Sequence, residues 1–415
     1  MKNNSIAYIQ FPGSNTENET INTLKRCGLS PRSHLWNDPL DLLDNDLGYV
    51  ILGGFSFEDR SRSGIIASLE PVVEKLKTQA LLGKPVLGIC NGAQILVESG
   101  MVPGNDSFDT VLALADNKRV VKNNIVGTGY FNTWCFIKPN KVSNSAFIKK
   151  DGGVLRVPIA HAEGRFIIDK NLQKLVNEKN LISYNYCDKN GEIKKDFPIN
   201  PNSSFGSAAA ISNAAGNVMA MMPHPERCLS GEADDIFEGM KKYAQSSGTF
   251  SYQALKYDAQ KIRIKKFNTN KEAEVLVSTI IADNEALSVE KCINMLGFDV
   301  KIKKYVHYEI ATKGDFNLDS VLDTDVLFNP SKEYVADIKR GKKNFTFLVR
   351  NRDDIHGKSI LQTLQKRFDI KNIETVKRGV VWEIDINSDS PKKDVDLILN
   401  SHIFSNPVSQ VCHEY

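Results

Sequence analysis

Short apolar runs punctuated by glycine and proline dominate the first half of the chain. Ile6-Ala-Tyr-Ile-Gln-Phe11, Tyr49-Val-Ile-Leu52, Val86-Leu-Gly-Ile89 and Asn217-Val-Met-Ala-Met-Met222 are too short and too continuous for amphipathic helices, and each reads as a buried strand. Between them lie helical stretches. A polar helix start follows the Pro12-Gly13-Ser14-Asn15 turn at Thr16-Glu17-Asn18-Glu19, and Ala93, Ile95, Leu96 and Val97 continue as helix beyond Gly92. Strand, glycine turn and helix in this order open an α/β, doubly wound parallel sheet. Ala233 through Tyr243 reads as its closing amphipathic helix, and Gln245-Ser-Ser-Gly-Thr is a polar boundary.

Beyond that boundary the pattern changes and then repeats. Lys261-Ile-Arg-Ile-Lys-Lys-Phe267 alternates as a short strand. Glu274-Val-Leu-Val-Ser-Thr-Ile280, a helix carrying Val289, Ile293 and Leu296, and the alternating run Val300–Ile310 recur as Phe345–Arg350, a helix carrying Ile360, Leu364 and Phe368, and Ile373–Ile384. Leu327-Phe-Asn-Pro330 recurs as Phe404-Ser-Asn-Pro407. Each copy, about 70 residues, reads strand, helix, hairpin, helix, strand, with the second hairpin turning at Lys377-Arg378-Gly379; this is the α+β ferredoxin-like order, and two such sheets can pack as a pseudo-dimer. The expected division is a domain over 1–245, a linker with a short strand over 246–272, and repeats over 273–340 and 341–415.

Composition narrows the function. The 415 residues carry 53 basic and 50 acidic side chains, so a net charge of +3 gives no field suited to nucleic acid or anionic membrane. Seven cysteines without a C-x-x-C pair give neither a disulfide framework nor a zinc spacing, which fits a reducing cytoplasm. No apolar run approaches a membrane span, and His307, His356, His402 and His413 show no metal spacing and are expected on sheet edges and helix ends.

The chemistry concentrates at strand ends. Gly88-x-Cys90-x-Gly92 is the cysteine form of a nucleophile elbow, in which a sharp strand-to-helix bend exposes the nucleophile, and the helix N-terminus favours a thiolate. A buried structural cysteine would also suit that position. Gly53-Gly54, at the end of an earlier strand, can bring backbone N–H groups up to an oxyanion. His224 and Glu226 lie two apart in Pro223-His-Pro-Glu-Arg227, so the carboxylate can orient the imidazole; nucleophile, general base and orienter are then all present.

Gly88-Ile-Cys-Asn-Gly-Ala-Gln94 with Pro223-His-Pro-Glu-Arg227 resembles the class I, triad-type glutamine amidotransferases. Phe11-Pro-Gly-Ser-Asn15, Gly53-Gly-Phe-Ser-Phe57, Pro158–Phe166 and Asn200-Pro-Asn-Ser-Ser204 narrow the resemblance to the glutaminase subunits of formylglycinamidine ribonucleotide synthase, over roughly the first 230 residues. The resemblance implies that Cys90 attacks the glutamine side-chain amide to form a thioester, that His224 moves the proton, and that Glu226 holds its tautomer. It further implies an oxyanion hole from the N–H of Asn91 with one from Gly53 or Gly54, and binding roles for Gln94, His161 and Glu163. His161 could equally be a packed core histidine. The sequence departs from the family at Thr16, where cysteine is common, at Ala162, where glycine is, and at Ser203, where an Asn-Pro-Asn-Gly turn is usual.

The second repeat, with Asp354-Ile-His-Gly-Lys-Ser359 and Trp382-Glu-Ile384, resembles the small accessory subunit that bridges synthetase and glutaminase in multisubunit forms of the same enzyme; the first copy is more divergent, with Ala286 where Gly357 stands. No phosphate-binding loop or ATP-grasp pattern occurs. The expectation is therefore a chain with no cofactor of its own, working with a large synthetase subunit that holds ATP and Mg²⁺, in de novo purine biosynthesis. The amidotransferase part of another biosynthetic synthase and a non-catalytic or protease-like member of the fold are the alternatives.

Overall fold

The computed structural model describes residues 4–246, 250–259, 262, 264–268, 273–314, 316–337 and 344–415. They form two units, Met1–Gln260 and Lys261–Tyr415. Of the linker expected over 246–272, part lies outside the described residues, as do parts of the strand expected over 261–267 and the boundary between the repeats.

The first unit is built on a nine-stranded sheet. Its order is Ser30–Leu35, Ser5–Gln10, Gly48–Ile51, Val86–Ile89, Val218–Met221, Ala208–Ser212, Ile182–Cys187, Phe131–Pro139, Leu155–His161. The first five strands are parallel, and the apolar runs read from the sequence form four of them. Val86, Leu87, Ile89, Tyr49, Val50 and Ile51 are fully buried, as strands covered on both faces must be.

The other half of the sheet is antiparallel, so the expectation of a parallel sheet throughout is corrected to a mixed one. Connection length gives the reason. Only Asn213–Asn217 separates Ala208–Ser212 from Val218–Met221, too few residues for a parallel crossover, and the Asn213 carboxamide closes the turn on the Val218 N–H at 3.0 Å. Residues 250–259 run as a strap against this unit, with Leu255 buried, its N–H on Gly104 O at 2.8 Å, and the Asn105 amide on Tyr257 O at 3.1 Å.

The second unit contains a seven-stranded sheet ordered Lys265–Lys266, Gln410–Glu414, Asn344–Asn351, Ile373–Ile386, Val300–Thr312, Ala273–Thr279, Glu333–Val335. The internal repeat is present as strand, helix, long strand, helix, strand in each copy. No hairpin turns at Lys377-Arg378-Gly379; Ile373–Ile386 is one continuous strand. It pairs antiparallel with Val300–Thr312 along almost its whole length, from Val300 opposite Ile386 to Ala311 opposite Thr375, so the two copies share one sheet instead of packing two.

Gly379 serves a crossing side chain rather than a turn. A Cβ there would lie 2.9 Å from Arg350 Cγ and 2.7 Å from Leu348 Cδ1, and the Arg350 chain uses that gap to reach His307 and Glu309 one strand further on. His307, expected at an edge or helix end, is instead wholly buried in the middle of the sheet, because Glu274 and Arg350 bond both ring nitrogens. Among the described residues no helix is long and apolar enough to cross a membrane.

Candidate active site

Three parallel strands deliver the site at their carboxyl ends, where open α/β sheets place ligands. Gly53-Gly54 follows Gly48–Ile51, Cys90 follows Val86–Ile89, and His224 follows Val218–Met221. Cys90 has φ 52° and ψ −105°, a sparsely populated backbone conformation held by its N–H on Met221 O at 2.8 Å and by the helix Asn91–Glu98 that begins immediately after it. The flanking glycines are steric necessities. A Cβ on Gly92 would lie 2.2 Å from Ile51 O, and one on Gly88 2.4 Å from Gly92 O. The elbow read from the sequence is thus present in the backbone.

His224 Nδ1 donates to Glu226 Oε1 at 2.6 Å, which leaves the other ring nitrogen to Cys90, whose side chain is within hydrogen-bonding reach of the ring. Both His224 and Glu226 are buried. Burial disfavours charge on the ring, but Glu226 and Cys90 outweigh it, and the His224 pKa is raised to about 10. The main chain fixes the ring's position through His224 N–H on Pro158 O at 2.9 Å. Gly53 lies against the ring, since a Cβ there would come within 2.9 Å of His224 Cε1.

The donors proposed for an oxyanion differ in availability. Gly53 N–H is already bound to Thr16 Oγ1 at 3.0 Å. Gly54 N–H makes no hydrogen bond among the described residues, and Asn91 N–H is one of the unpaired donors of a first helical turn. The Asn91 side chain acts as a latch on the loop beyond Gly54: its Oδ1 accepts from Ser56 N–H at 3.0 Å, and its amide reaches Asp59 at 3.2 Å and Gln94 at 2.9 Å. That loop is strained, with Phe57, Glu58, Asp59 and Ser61 all at positive φ.

Gln94 has both ends of its amide engaged, accepting from Asn91 and donating to Glu163 O at 2.7 Å, so it positions the Glu163 strand end. His161 is buried, and among the described residues neither ring nitrogen has a hydrogen-bond partner; burial, helped by the charge of nearby His224, pushes its pKa down to about 3 and keeps the ring neutral. Burial raises Glu163 to about 7, with Asp116 and Asp59 adding to the shift and Ser63 and Arg62 opposing it. Burial likewise raises Asp59 to about 6. Cys90 Sγ lies 3.8 Å from Ala160 O, so the strand carrying His161 passes alongside the nucleophile.

Sequence reasoning passed over the groups that fix this wall. Asn117 donates to His161 O at 2.6 Å and accepts from Gly164 N–H at 3.1 Å, and Asn202 donates to Gly164 O at 2.7 Å. Asn202 had a signal, in the Asn200–Ser204 segment; Asn117 had none. Ser203 takes φ 61°, the conformation its glycine counterpart would adopt freely, with its hydroxyl on Lys118 O at 2.9 Å, whereas Ala162 needs no positive φ.

A mixed sheet with parallel strands that deliver an elbow cysteine and a histidine–glutamate pair defines an α/β protein of the class I glutamine amidotransferase fold. The chain belongs to the CobB/CobQ-like glutamine amidotransferase domain family, which matches residues 3–257. It is similar to the phosphoribosylformylglycinamidine synthase subunit PurQ of Methanothrix thermoacetophila, at 41% identity over 259 residues covering 58% of this chain and 98% of that protein. The subunit of the same name from Methanocaldococcus jannaschii is 36% identical over 247 residues, again covering 58% of this chain and 98% of the relative. Among solved structures, PurLQS from Thermotoga maritima is similar over 58% of this chain and 99% of that chain, at 26% identity and a TM-score of 0.45.

Proposed function

We propose that this chain is the glutaminase component of a phosphoribosylformylglycinamidine synthase, hydrolysing glutamine to glutamate and passing the ammonia to a separate ATP-dependent synthetase subunit. The observation that carries the reading is Cys90 on its elbow beside the buried His224–Glu226 pair, in a chain whose relatives bear that enzyme's name.

In the proposed reaction the proton shared by Cys90 and His224 rests on the ring, whose pKa is raised, while the sulfur bonds to the glutamine amide carbon and the carbonyl electrons move onto oxygen. Gly54 N–H and Asn91 N–H are the free donors for that oxyanion. As the carbon–nitrogen bond breaks, His224 returns the proton to the leaving nitrogen and ammonia departs. A water molecule, deprotonated by the same ring, then cleaves the thioester to glutamate and free Cys90. Glu226 keeps the ring facing the sulfur throughout. Glu163 and Asp59 supply acidic groups suited to the α-ammonium of glutamine, and neutral His161 offers a hydrogen-bonding group without a competing charge. The second unit, with its two copies in one sheet, is the bridging module between glutaminase and synthetase, and ATP and Mg²⁺ act on the synthetase. What favours this over another amidotransferase assembly is the presence of that duplicated unit in the same chain.

The test is glutamate release from glutamine by the full chain, alone and with the large synthetase subunit, ATP and formylglycinamide ribonucleotide. Cys90→Ser is expected to abolish glutamine-dependent synthesis and leave synthesis from added ammonia intact; loss of both would refute the division of labour.

A further inference from the structure

Thr16 occupies the N-cap position of the helix Glu17–Arg26, where a threonine hydroxyl ordinarily accepts a hydrogen bond from the first turn. Here it makes no cap bond. The side chain is fully buried and turns to a residue 37 positions away, accepting from Gly53 N–H at 3.0 Å. Its methyl packs on the same residue, with Cγ2 3.2 Å from where a Gly53 Cβ would stand, and on its other side Gly53 meets the His224 ring. The hydroxyl thus gives up a local bond for one that fixes the Leu52–Gly53 peptide, whose glycine packs against the histidine ring and leads directly into Gly54.

The consequence concerns which donors an oxyanion would meet. Two successive N–H groups, Gly53 and Gly54, reach the site wall, and a transition state gains from a donor only if that donor is aimed and unoccupied. Thr16 occupies the first. Gly54, at φ 143°, is held by the antiparallel bridge to Ser14, with Asn15 N–H on Gly53 O at 3.1 Å and Phe55 N–H on Gly13 O at 3.0 Å, and its own N–H stays free.

Resting on the glutaminase reading, we propose that Thr16 is a positioning residue that assigns the oxyanion hole to Gly54 and Asn91 by holding Gly53 N–H and, through Gly53, the His224 ring. Thr16 touches no reacting atom and acts through the peptide it anchors. Removing the hydroxyl frees Gly53 N–H to rotate, loosens the register of Gly54, and lowers turnover without altering glutamine binding.

The test compares Thr16→Val, which keeps the shape and loses the acceptor, with Thr16→Ser, which keeps the acceptor, in the full chain assayed with its synthetase partner. Thr16→Val is expected to lower kcat for glutamate release about 10- to 100-fold with KM within about threefold, and Thr16→Ser to stay within about threefold of the parent. Glutamate γ-semialdehyde, whose cysteine adduct carries the tetrahedral oxygen, should bind Thr16→Val more weakly by the same factor as kcat falls, while product glutamate binds unchanged. Where Thr16→Val does not fold, Thr16→Ala against Thr16→Ser makes the same comparison. Unchanged kcat and semialdehyde affinity in Thr16→Val, or equal losses in the valine and serine variants, overturn the assignment. Cys90→Ser is run alongside: if it is inactive while Thr16→Val is unimpaired, only the Thr16 assignment fails, whereas an active Cys90→Ser overturns the triad and the assignment together.

Discussion

Each unit buries a histidine against a glutamate, and the two pairs titrate in opposite directions. His224 meets Glu226 at 2.6 Å and is raised to about 10. His307 meets Glu274 at 3.0 Å and is lowered. Burial opposes charge in both, so the remaining partners decide. Glu226 has no exposed surface, and the far side of the His224 ring faces Cys90, which can carry negative charge; Glu274 is 30% exposed, and the far side of the His307 ring faces the Arg350 guanidinium at 3.2 Å. A histidine–glutamate pair is therefore an acid–base device only where its second face meets a nucleophile. Against an arginine it is a structural tie, here joining three strands.

Replacing Glu226 by Gln tests the first pair and has the largest expected effect. The ring loses its orienting carboxylate, and kcat for glutamine hydrolysis should fall about 10³-fold, equivalent to about 4 kcal/mol of barrier, measured by glutamate release. The same variant reports on titration. A histidine raised from about 6.5 contributes stability that is fully present below pH 6.5 and is lost as pH rises through about 10. Parent melting temperatures should decline across that window and the decline should flatten in Glu226→Gln; an unchanged slope would mean the carboxylate does not hold the proton.

Arg350→Met separates the second pair from the first. It removes the cation bonded at 2.6 Å to Glu309, a carboxylate 6% exposed that Lys377 also meets, and should destabilise the second unit by about 3 kcal/mol in chemical denaturation while leaving glutaminase turnover within about twofold. The His307 pKa should rise in this variant, read from its ring proton shifts, because a neighbouring cation is gone; a value that stays low would assign the shift to burial alone. Gly379→Ala is the mildest. Its methyl intrudes on Arg350 Cγ and Leu348 Cδ1 and should cost about 2 kcal/mol, without the rise in His307 unless the guanidinium is displaced.

What was legible in the sequence was whatever a local pattern encodes. The elbow follows from glycines two residues either side of Cys90, and the His224–Glu226 bond from alternation at a strand end; both are short-range geometry. The strands around them follow from continuous apolar runs. What was hidden depends on contacts between distant segments. Nothing local says that Thr16 binds Gly53, that Asn91 latches Ser56 and Asp59, or that Asn117 holds the His161 strand end. Gly379 shows the limit from the other side: a glycine amid Lys377 and Arg378 reads as a turn, and only a side chain arriving from a neighbouring strand explains it. The antiparallel half of the large sheet was missed because strands such as Phe131–Pro139 and Leu155–His161 mix buried and exposed positions instead of running continuously apolar like the parallel ones.

The long pairing of Val300–Thr312 with Ile373–Ile386 also determines what the duplication achieves. Either copy alone would expose a thirteen- or fourteen-residue strand edge, an invitation to associate with any available chain. Two separate copies would have to find each other at a rate set by their abundance. Joined in one polypeptide, the same edges meet at a high effective concentration. The sheet then forms as readily in a dilute solution as in a crowded one, and the edge is closed before a stranger can reach it.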